Sequence, residues 1–232
     1  MFVKHLKRGW YVFALWTCRM FCVVSFRMHL NGQENIPKKG PFLLIGNHQS
    51  YLDPIFCGAP LRRQLVYVGR DTLFQSWMFR SIIASVGTIP IRRDSADLSA
   101  IRRMLAKLRE GLGLCLFPEA RRTSDGRISP LRPGFSFLCR KAGAPIVPVV
   151  IDGAFQCWPR TKKFFTPGQR ISVWYGTPIE TQEVTRMSDD ELADYVTGVM
   201  RQMLNECRAK LGDQPYDYDD SPPGQPEGGD KQ

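Results

Sequence analysis

The chain has 232 residues, which is enough for one substantial hydrophobic core. Hydrophobic residues make up 43% and charged residues 23%, as in folded globular proteins, so the composition excludes disordered and collagen-like chains. The net charge of +10 favours an anionic partner, such as a membrane surface or a phosphorylated substrate. The sequence has no zinc-finger spacing, no aromatic RNA-binding strand and no basic repeat, so nucleic acid is not an expected partner.

The first 29 residues combine basic residues with an apolar, aromatic-rich run that Arg19 interrupts. A membrane-spanning helix needs about 20 mainly apolar residues, and an arginine near its centre is costly. The segment 1–29 is therefore predicted to be an amphipathic helix at the membrane interface. Four aromatic side chains are expected to enter lipid: Trp10, Phe13, Trp16 and Phe21. The alternative is a helix that packs on the protein's own core.

From residue 41 onward, short β-like runs alternate with helical periodicity. Strands are predicted at Phe42–Ile45, Gln64–Val68, Thr88–Arg92, Leu112–Phe117, Ile146–Ile151 and Arg170–Tyr175. Helices are predicted at Asp71–Val86, Ser95–Gly111, Phe135–Gly143 and Asp189–Leu211, with Asp71 and Ser95 as N-caps. The pattern indicates the α/β class, with a single domain over residues 30–212 and a mixed, largely parallel sheet covered by helices. Residues 213–232 are mostly polar, which predicts a disordered acidic tail.

Seven cysteines are scattered along the chain without a C-x-x-C pair, and several lie inside apolar runs. Buried thiols in a reducing compartment fit this pattern better than a disulfide framework or a zinc site does. The sequence therefore predicts no metal site.

A histidine follows the first of the predicted strands, within the run NHQSYLD over residues 47–53. Asp53 comes five residues after His48, and in a continuous helix the two side chains would point about 140° apart. Pro54 disfavours a helical conformation at Asp53, so a turn can bring the pair together. A carboxylate that fixes one imidazole nitrogen leaves the other free to accept a proton, which makes His48 and Asp53 candidate catalytic residues. The alternative is that His48 caps a strand and Asp53 begins a helix.

Two arginines lie near the ends of predicted strands, Arg93 after Thr88–Arg92 and Arg122 after Leu112–Phe117. Guanidinium groups bind phosphate through paired hydrogen bonds, so two of them converging on one anion would bind and orient it. Glu119 lies in the same loop as Arg122. The alternatives are that both arginines are solvated surface cations and that Glu119 is a structural partner of a nearby arginine.

Four blocks of the sequence stand out: NHQSYLD over residues 47–53, GTIPIRR over 87–93, FPEARRT over 117–123 and IVPVV over 146–150. In this order they resemble the blocks of the glycerolipid acyltransferase family, typified by 1-acylglycerol-3-phosphate acyltransferase. The third block of that family is F-P-E-G-T-R-S. This chain has Ala120 in place of its glycine, Arg121 in place of its threonine and Thr123 in place of its serine. Arg121 adds a charge beside the expected anion site and leaves the acceptor open.

The resemblance implies an acyltransferase that moves a fatty acyl group from acyl-CoA or acyl carrier protein to the hydroxyl of a lysophospholipid. The expected acceptor is 1-acyl-glycerol 3-phosphate, which would give phosphatidic acid. His48 is then the general base with Asp53 as its partner. Arg93 and Arg122 hold the acceptor's phosphate, and Glu119 contributes to acceptor binding or to the geometry of the site. No cofactor is expected. The implied partners are membrane lipids and the acyl thioester donor, at the cytoplasmic face of the inner or cell membrane. Another acceptor, such as glycerol 3-phosphate or a lyso-aminolipid, and a non-catalytic lipid-binding protein are the alternatives.

Overall fold

A computed structural model describes residues 2–75, 80, 83, 86–92 and 97–218, with backbone alone for residues 2–8. Seven strands are described: β1 Arg27–Asn31, β2 Phe42–Gly46, β3 Leu65–Arg70, β4 Ile89–Ile91, β5 Gly113–Leu116, β6 Ile146–Asp152 and β7 Arg170–Tyr175. The α-helices whose bounds the structure describes are α1 Phe2–Ser25, α2 Asp53–Gly58, α3 Leu98–Arg109, α4 Gly134–Ala142, α5 Ala154–Cys157, α6 Thr181–Arg186 and α7 Asp189–Lys210. Two short 3₁₀ helices lie at Gln33–Asn35 and Asp71–Phe74.

The strands form one sheet in the order β1-β7-β6-β2-β5-β3-β4. The β6–β7 pair is antiparallel, and the other neighbouring pairs are parallel. The prediction of a single α/β domain with a mixed, largely parallel sheet is therefore confirmed. All six predicted strands are present, with ends that shift by a few residues.

Strand β1 was not predicted, because its sequence RMHLN has no apolar run and lies mostly exposed at the edge of the sheet. It pairs with β7 in the register Arg27↔Arg170. The N-terminal helix ends at Ser25, so the predicted helical segment 1–29 is too long by four residues.

The central strand β2 is buried on both faces, because helices cover the sheet on each side. Leu43 and Ile45 face one cluster, which includes side chains of α3, α4 and α7. Phe42 and Leu44 face the other, which includes side chains of α1, α2 and α5. Each such buried side chain contributes about 1.5–3 kcal/mol by leaving water.

Helix α1 is docked on the core by Arg19, the residue that interrupts its apolar run. The Arg19 guanidinium donates hydrogen bonds to the carbonyl oxygens of Ala59, at 2.6 Å, and Leu61, at 2.7 Å. Ala59 caps the C-terminal end of α2, where a positive charge is favourable for the helix dipole. Arg19 is therefore a docking residue.

The opposite face of α1 is apolar and exposed. Six of its side chains have exposed fractions from 47% to 78%: Trp10, Phe13, Trp16, Met20, Val23 and Val24. Phe21, the fourth side chain predicted to enter lipid, is half-buried and contacts Phe26 and Phe165, with ring centroids 5.6 and 5.5 Å apart. Within the part of the chain that the structure describes, no helix has the combination of length and apolar character that crossing a membrane requires.

Helices α3, α4 and α7 match the predictions in place and differ at their ends, whereas the short helices α2, α5 and α6 were not predicted. Helix α3 is capped by Asp97, whose Oδ1 accepts a hydrogen bond from the Ala100 amide at 3.0 Å, so Ser95 is not its N-cap. Helix α7 begins after a capping box formed by Ser188 and Glu191. The segment predicted as the helix Asp71–Val86 starts with a 3₁₀ turn, and most of its remainder lies outside the described residues.

Residues 213–218 are folded, which contradicts the predicted disorder of the tail at that point. The side-chain amide of Asn205 exchanges two hydrogen bonds with the backbone of Tyr216, at 2.7 and 2.9 Å. Tyr216 and Tyr218 pack against the cluster on the α7 side of the sheet. We call residues 213–218 the C-terminal strap; the rest of the predicted tail lies outside the described residues.

Candidate active site

The site lies at the carboxyl edge of the sheet, where neighbouring parallel strands deliver their following loops to one place. Strand β2 lies between β5 and β6 and runs parallel to both. The loops after β2 and β5 therefore meet at that edge, which is where open α/β sheets bind ligands. His48 follows β2 and Glu119 follows β5.

The structure brings His48 and Asp53 into contact. His48 Nδ1 lies 2.7 Å from Asp53 Oδ2, with the Asp53 side chain fully buried and that of His48 18% exposed. Asp53 is the first residue of α2, so it begins a helix and also pairs with the histidine. Asp53 Oδ2 also stabilises the turn between the two residues, because it accepts hydrogen bonds from the backbone amides of Gln49 at 2.6 Å and Ser50 at 2.7 Å.

These hydrogen bonds determine the tautomer of the imidazole. An ionised carboxylate only accepts hydrogen bonds, and two N–H donors already point at Asp53 Oδ2. The ring hydrogen then lies on Nδ1 and the lone pair on Nε2, for which no hydrogen-bond partner is found among the described residues. The His48 ring stacks on Phe117, with centroids 4.6 Å apart and planes 24° apart, so its orientation is held from a second side.

Two residues beside His48 join its loop to neighbouring elements, and sequence reasoning missed both. Asn47 Nδ2 donates to the Ile151 carbonyl at 2.9 Å, and the Ile151 amide donates to Asn47 Oδ1 at 2.7 Å. These two hydrogen bonds between the Asn47 side chain and the Ile151 backbone extend the pairing of β2 with β6 beyond its last residue pair. Gln49 donates to the Gly126 carbonyl and accepts from the Phe155 amide, at 2.8 and 3.1 Å. The available signal was the amide residues on both sides of the histidine.

Glu119 bridges two backbone segments. Its Oε1 accepts a hydrogen bond from the His48 amide at 2.7 Å, and its Oε2 accepts one from the Ser129 amide at 3.0 Å. Burial raises the pKa of this carboxyl to about 8, against the opposing effect of the two N–H donors. The Thr123 amide donates to the His48 carbonyl at 2.8 Å. The loop after β5 thus holds the His48 backbone at both its N–H and its C=O.

The turn that presents Glu119 is formed with Ala120 in the left-handed region, at φ 63°. The Ala120 amide donates to the Phe117 carbonyl at 3.1 Å. A side chain in this region costs about 1–2 kcal/mol, and the glycine of the resembling family block would avoid that cost. The substitution therefore keeps the shape of the turn at some expense of stability.

Arg122 belongs to this loop, two residues after Ala120. Its guanidinium carbon is 3.4 Å from the centroid of the Tyr51 ring, and its Nη1 is buried without a hydrogen-bond partner among the described residues. A buried N–H group without an acceptor costs about 1–3 kcal/mol, so an anionic ligand oxygen would be stabilised there. Arg121 is exposed. Arg93, the other predicted phosphate ligand, lies outside the described residues.

The C-terminal strap contacts the same loop from outside. The Ile128 amide lies 3.4 Å from the Tyr218 hydroxyl, which accepts its hydrogen bond. The Arg201 guanidinium lies over the Tyr218 ring at 4.5 Å and donates to the Ile128 carbonyl at 3.1 Å. The strap therefore holds the segment that carries Ser129, the second partner of Glu119. Two tyrosines in an otherwise polar tail were the sequence signal for this packing.

A comparison with known families assigns the chain to a class. The family model described as Acyltransferase matches residues 27–152, more than half of the chain and the span that carries His48, Asp53, Glu119 and Arg122. The chain therefore belongs to the acyltransferase family.

Curated relatives named 1-acyl-sn-glycerol-3-phosphate acyltransferase are similar over different shares of their length. The Bacillus subtilis protein is 26% identical over 77% of this chain and 87% of its own length. The Pseudomonas aeruginosa protein is 30% identical over 71% of this chain and 63% of its own length. The chloroplastic protein BAT2 of Brassica napus is 26% identical, and the chain spans only 40% of its length.

A solved structure shows the same fold. It is the crystal structure of the 1-acyl-sn-glycerophosphate (LPA) acyltransferase PlsC from Thermotoga maritima, with a TM-score of 0.72 and 23% identity. The match covers 88% of this chain and 84% of that chain.

Proposed function

We propose that the protein transfers a fatty acyl group from an acyl thioester to the hydroxyl of a lysophospholipid, with 1-acyl-glycerol 3-phosphate as acceptor and phosphatidic acid as product. The observation that carries the proposal is the His48–Asp53 hydrogen bond of 2.7 Å, which directs Nδ1 to the carboxylate and leaves Nε2 without a hydrogen-bond partner among the described residues. Family membership and the names of the relatives support the reaction class and the acceptor.

In the proposed reaction, His48 Nε2 takes the proton of the acceptor hydroxyl while that oxygen attacks the thioester carbonyl carbon. The C–S bond then breaks, and the departing thiolate receives the proton from the imidazolium. Asp53 stabilises the imidazolium between the two steps. General-base catalysis of this kind contributes about 10²–10⁴-fold to the rate.

Direct transfer without an acyl-enzyme is supported by the state of two nucleophilic side chains near the His48–Asp53 pair in sequence, Ser50 and Cys57. Ser50 is fully buried, and its Oγ accepts a hydrogen bond from the Leu52 amide at 3.3 Å. Burial raises the pKa of Cys57 well above its usual range, which disfavours the reactive thiolate. Neither group is prepared to attack a thioester.

The acceptor's phosphate is proposed to bind Arg122, because that guanidinium has a buried N–H group for which the described part of the chain offers no acceptor. Arg93 stays a prediction as the second phosphate ligand. Glu119 is proposed to act on the geometry of the site, since both its oxygens accept hydrogen bonds from backbone amides.

Membrane association is proposed through the exposed apolar face of α1, with the protein on the cytoplasmic leaflet. Aromatic side chains such as Trp10, Phe13 and Trp16 are at least 47% exposed there, and such side chains favour the lipid interface. From this position the site would draw its acceptor from the bilayer. The donor, acyl-CoA or acyl carrier protein, would come from the cytosol.

The test is transfer of a labelled acyl group from each donor to a panel of acceptors: 1-acyl-glycerol 3-phosphate, glycerol 3-phosphate, a lyso-aminolipid and a monoacylglycerol. Preference for the first acceptor, lost in His48→Ala, is the expected result. Preference for another acceptor would overturn the acceptor assignment. Lipid binding without transfer to any acceptor would indicate a non-catalytic lipid-binding protein.

A further inference from the structure

The segment between α5 and β7 is basic and presents an exposed phenylalanine. Phe164 is 82% exposed, the highest fraction among the large hydrophobic side chains that the structure describes. Arg160, Lys162 and Lys163 are exposed beside it. No acidic residue occurs between Asp152 and Glu180. We call residues 158–169 the Phe164 loop.

The loop has a defined shape. The Trp158 indole donates to the Lys162 carbonyl at 3.0 Å. The Lys162 amide donates in turn to the Pro159 carbonyl at 3.2 Å, and the Thr166 amide donates to the Cys157 carbonyl at 2.9 Å. The exposure of Phe164 is therefore held by the hydrogen bonds on both sides of it.

The loop is attached to the end of α1. Phe165 contacts the rings of Phe21 and Phe26, with centroids 5.5 and 5.9 Å apart. The Gly168 amide donates to the Ser25 carbonyl at 2.7 Å. The basic loop and the helix with the exposed apolar face thus form one contiguous structure, and the helix itself has no acidic residue.

The loop also adjoins the candidate active site. Because β7 is antiparallel to β6, β7 begins at the edge where β6 ends, the edge that carries His48. The Trp158 ring lies 5.0 Å from the ring of Tyr51 and 6.0 Å from that of Phe165. Tyr51 stacks on Arg122. A continuous run of aromatic contacts therefore joins α1, the loop and the proposed phosphate ligand.

We propose that the Phe164 loop is a second membrane-contacting element, which inserts Phe164 into an anionic lipid surface while Lys162 and Lys163 contact its headgroups. The proposal rests on the membrane association proposed above and adds a contact that orients the site towards the bilayer. The charge of the loop favours an anionic lipid surface as its partner, because lysine side chains are attracted to anionic headgroups and an exposed aromatic side chain is stable at the headgroup boundary.

The test is sedimentation of the full-length chain with two kinds of vesicle, neutral phosphatidylcholine alone and phosphatidylcholine mixed with anionic phosphatidylglycerol. Phe164→Ser should weaken binding to both by about tenfold, because the ring no longer leaves water. The double variant Lys162→Gln/Lys163→Gln should weaken binding to the anionic vesicles alone, by about 25-fold, at about fivefold for each charge removed.

Two matched variants serve as controls. Phe137→Ser removes an exposed phenylalanine from α4, in the layer opposite α1. Lys38→Gln/Lys39→Gln removes an exposed lysine pair before β2, at the edge opposite His48. Both controls should bind the vesicles like the wild type. All four variants should keep wild-type melting temperatures and wild-type turnover of a short-chain, water-soluble acceptor.

The outcomes separate the two proposals. Failure of the wild type to bind either vesicle would overturn membrane association itself. Wild-type binding that survives both loop variants would overturn the Phe164 loop as a contact and leave association through α1 standing. Unchanged vesicle binding with weaker use of acyl carrier protein as donor would assign the loop to a protein partner, and would also overturn the proposal.

Discussion

Replacing Asp53 with asparagine tests the proposed role of the His48–Asp53 pair with little change of shape. Asp53 Oδ2 accepts hydrogen bonds from His48 Nδ1 and from the amides of Gln49 and Ser50. Because two backbone N–H groups point at this position, the oxygen of the new amide must occupy it. His48 then keeps its tautomer, and the substitution removes the negative charge alone.

The magnitude follows from that charge. A hydrogen bond to a charged group contributes about 1.5–3 kcal/mol, which corresponds to about 10–150-fold in rate. Asp53→Asn should therefore lower kcat by that factor. The new NH₂ group takes the place of Oδ1, which is buried without a partner among the described residues, so the free energy of unfolding should fall by no more than about 1–3 kcal/mol.

Asp53→Ala gives a contrasting expectation. It also removes the acceptor of two buried backbone amides, at a cost of about 1–3 kcal/mol each, so the melting temperature should fall. Without its partner His48 is no longer held in place, so kcat should fall by about 10²–10⁴-fold, the whole contribution of a general base. Glu110→Gln is the control, since Glu110 is an exposed carboxylate paired with Lys107. The assay is steady-state acyl transfer together with thermal unfolding. An Asp53→Asn variant with kcat within about twofold of the wild type would refute the proposed role.

Three further predictions concern the loop after β5 and the strap. Arg122→Ala should lower kcat/KM for a phosphorylated acceptor by about 10–150-fold and change kcat/KM for a neutral acceptor much less. The control Arg121→Ala, at the exposed neighbour, should change neither value, and equal losses for both acceptors in Arg122→Ala would contradict phosphate binding. Burial raises the pKa of Glu119 from 4.5 to about 8, so between these values the folded protein binds more protons than the unfolded chain and becomes less stable as the pH rises, by up to about 1.4 kcal/mol per pH unit. Glu119→Gln should flatten this slope in urea unfolding measured near both ends of the range, and an unchanged slope would show that another group titrates. Truncation after residue 212 should lower the melting temperature by about 5–10 °C. It should also reduce kcat more than it raises KM, because Tyr218 no longer supports the loop after β5. A truncated protein with the wild-type melting temperature and kcat would show that the strap is dispensable.

Much of the sheet was predictable because its central strands are apolar on both faces. The run Phe42–Ile45 has no polar residue, and the structure buries all of it. The edge strand β1 has no such signature, since an edge strand with exposed side chains gains its partners from β7, far away in sequence. The length of α1 was overestimated for the same reason, because a long-range pairing ends it.

Arg19 shows the limit of a local pattern. In the sequence it is a cation within an apolar run, and its cost in lipid argued against a membrane span. Only the fold reveals that the carbonyls of Ala59 and Leu61 receive its guanidinium. Backbone carbonyls occur at every residue, so no feature of the sequence distinguishes the two that α1 would meet.

The sequence by itself determined the chemistry available at the site, because His48, Asp53, Glu119 and Arg122 fall within short blocks that a turn or a strand end can present. The tertiary structure decided what each of them contacts. Glu119 accepts hydrogen bonds from the backbone amides of His48 and Ser129. Both donors are main-chain groups, so the side chains of these two residues give no sign of the contact. The physical reason is that residue types and their spacing reveal side-chain chemistry and local backbone preference. Every residue except proline has an equivalent backbone N–H group, and only the fold, by bringing distant loops to the same edge of the sheet, decides which of these groups Glu119 meets.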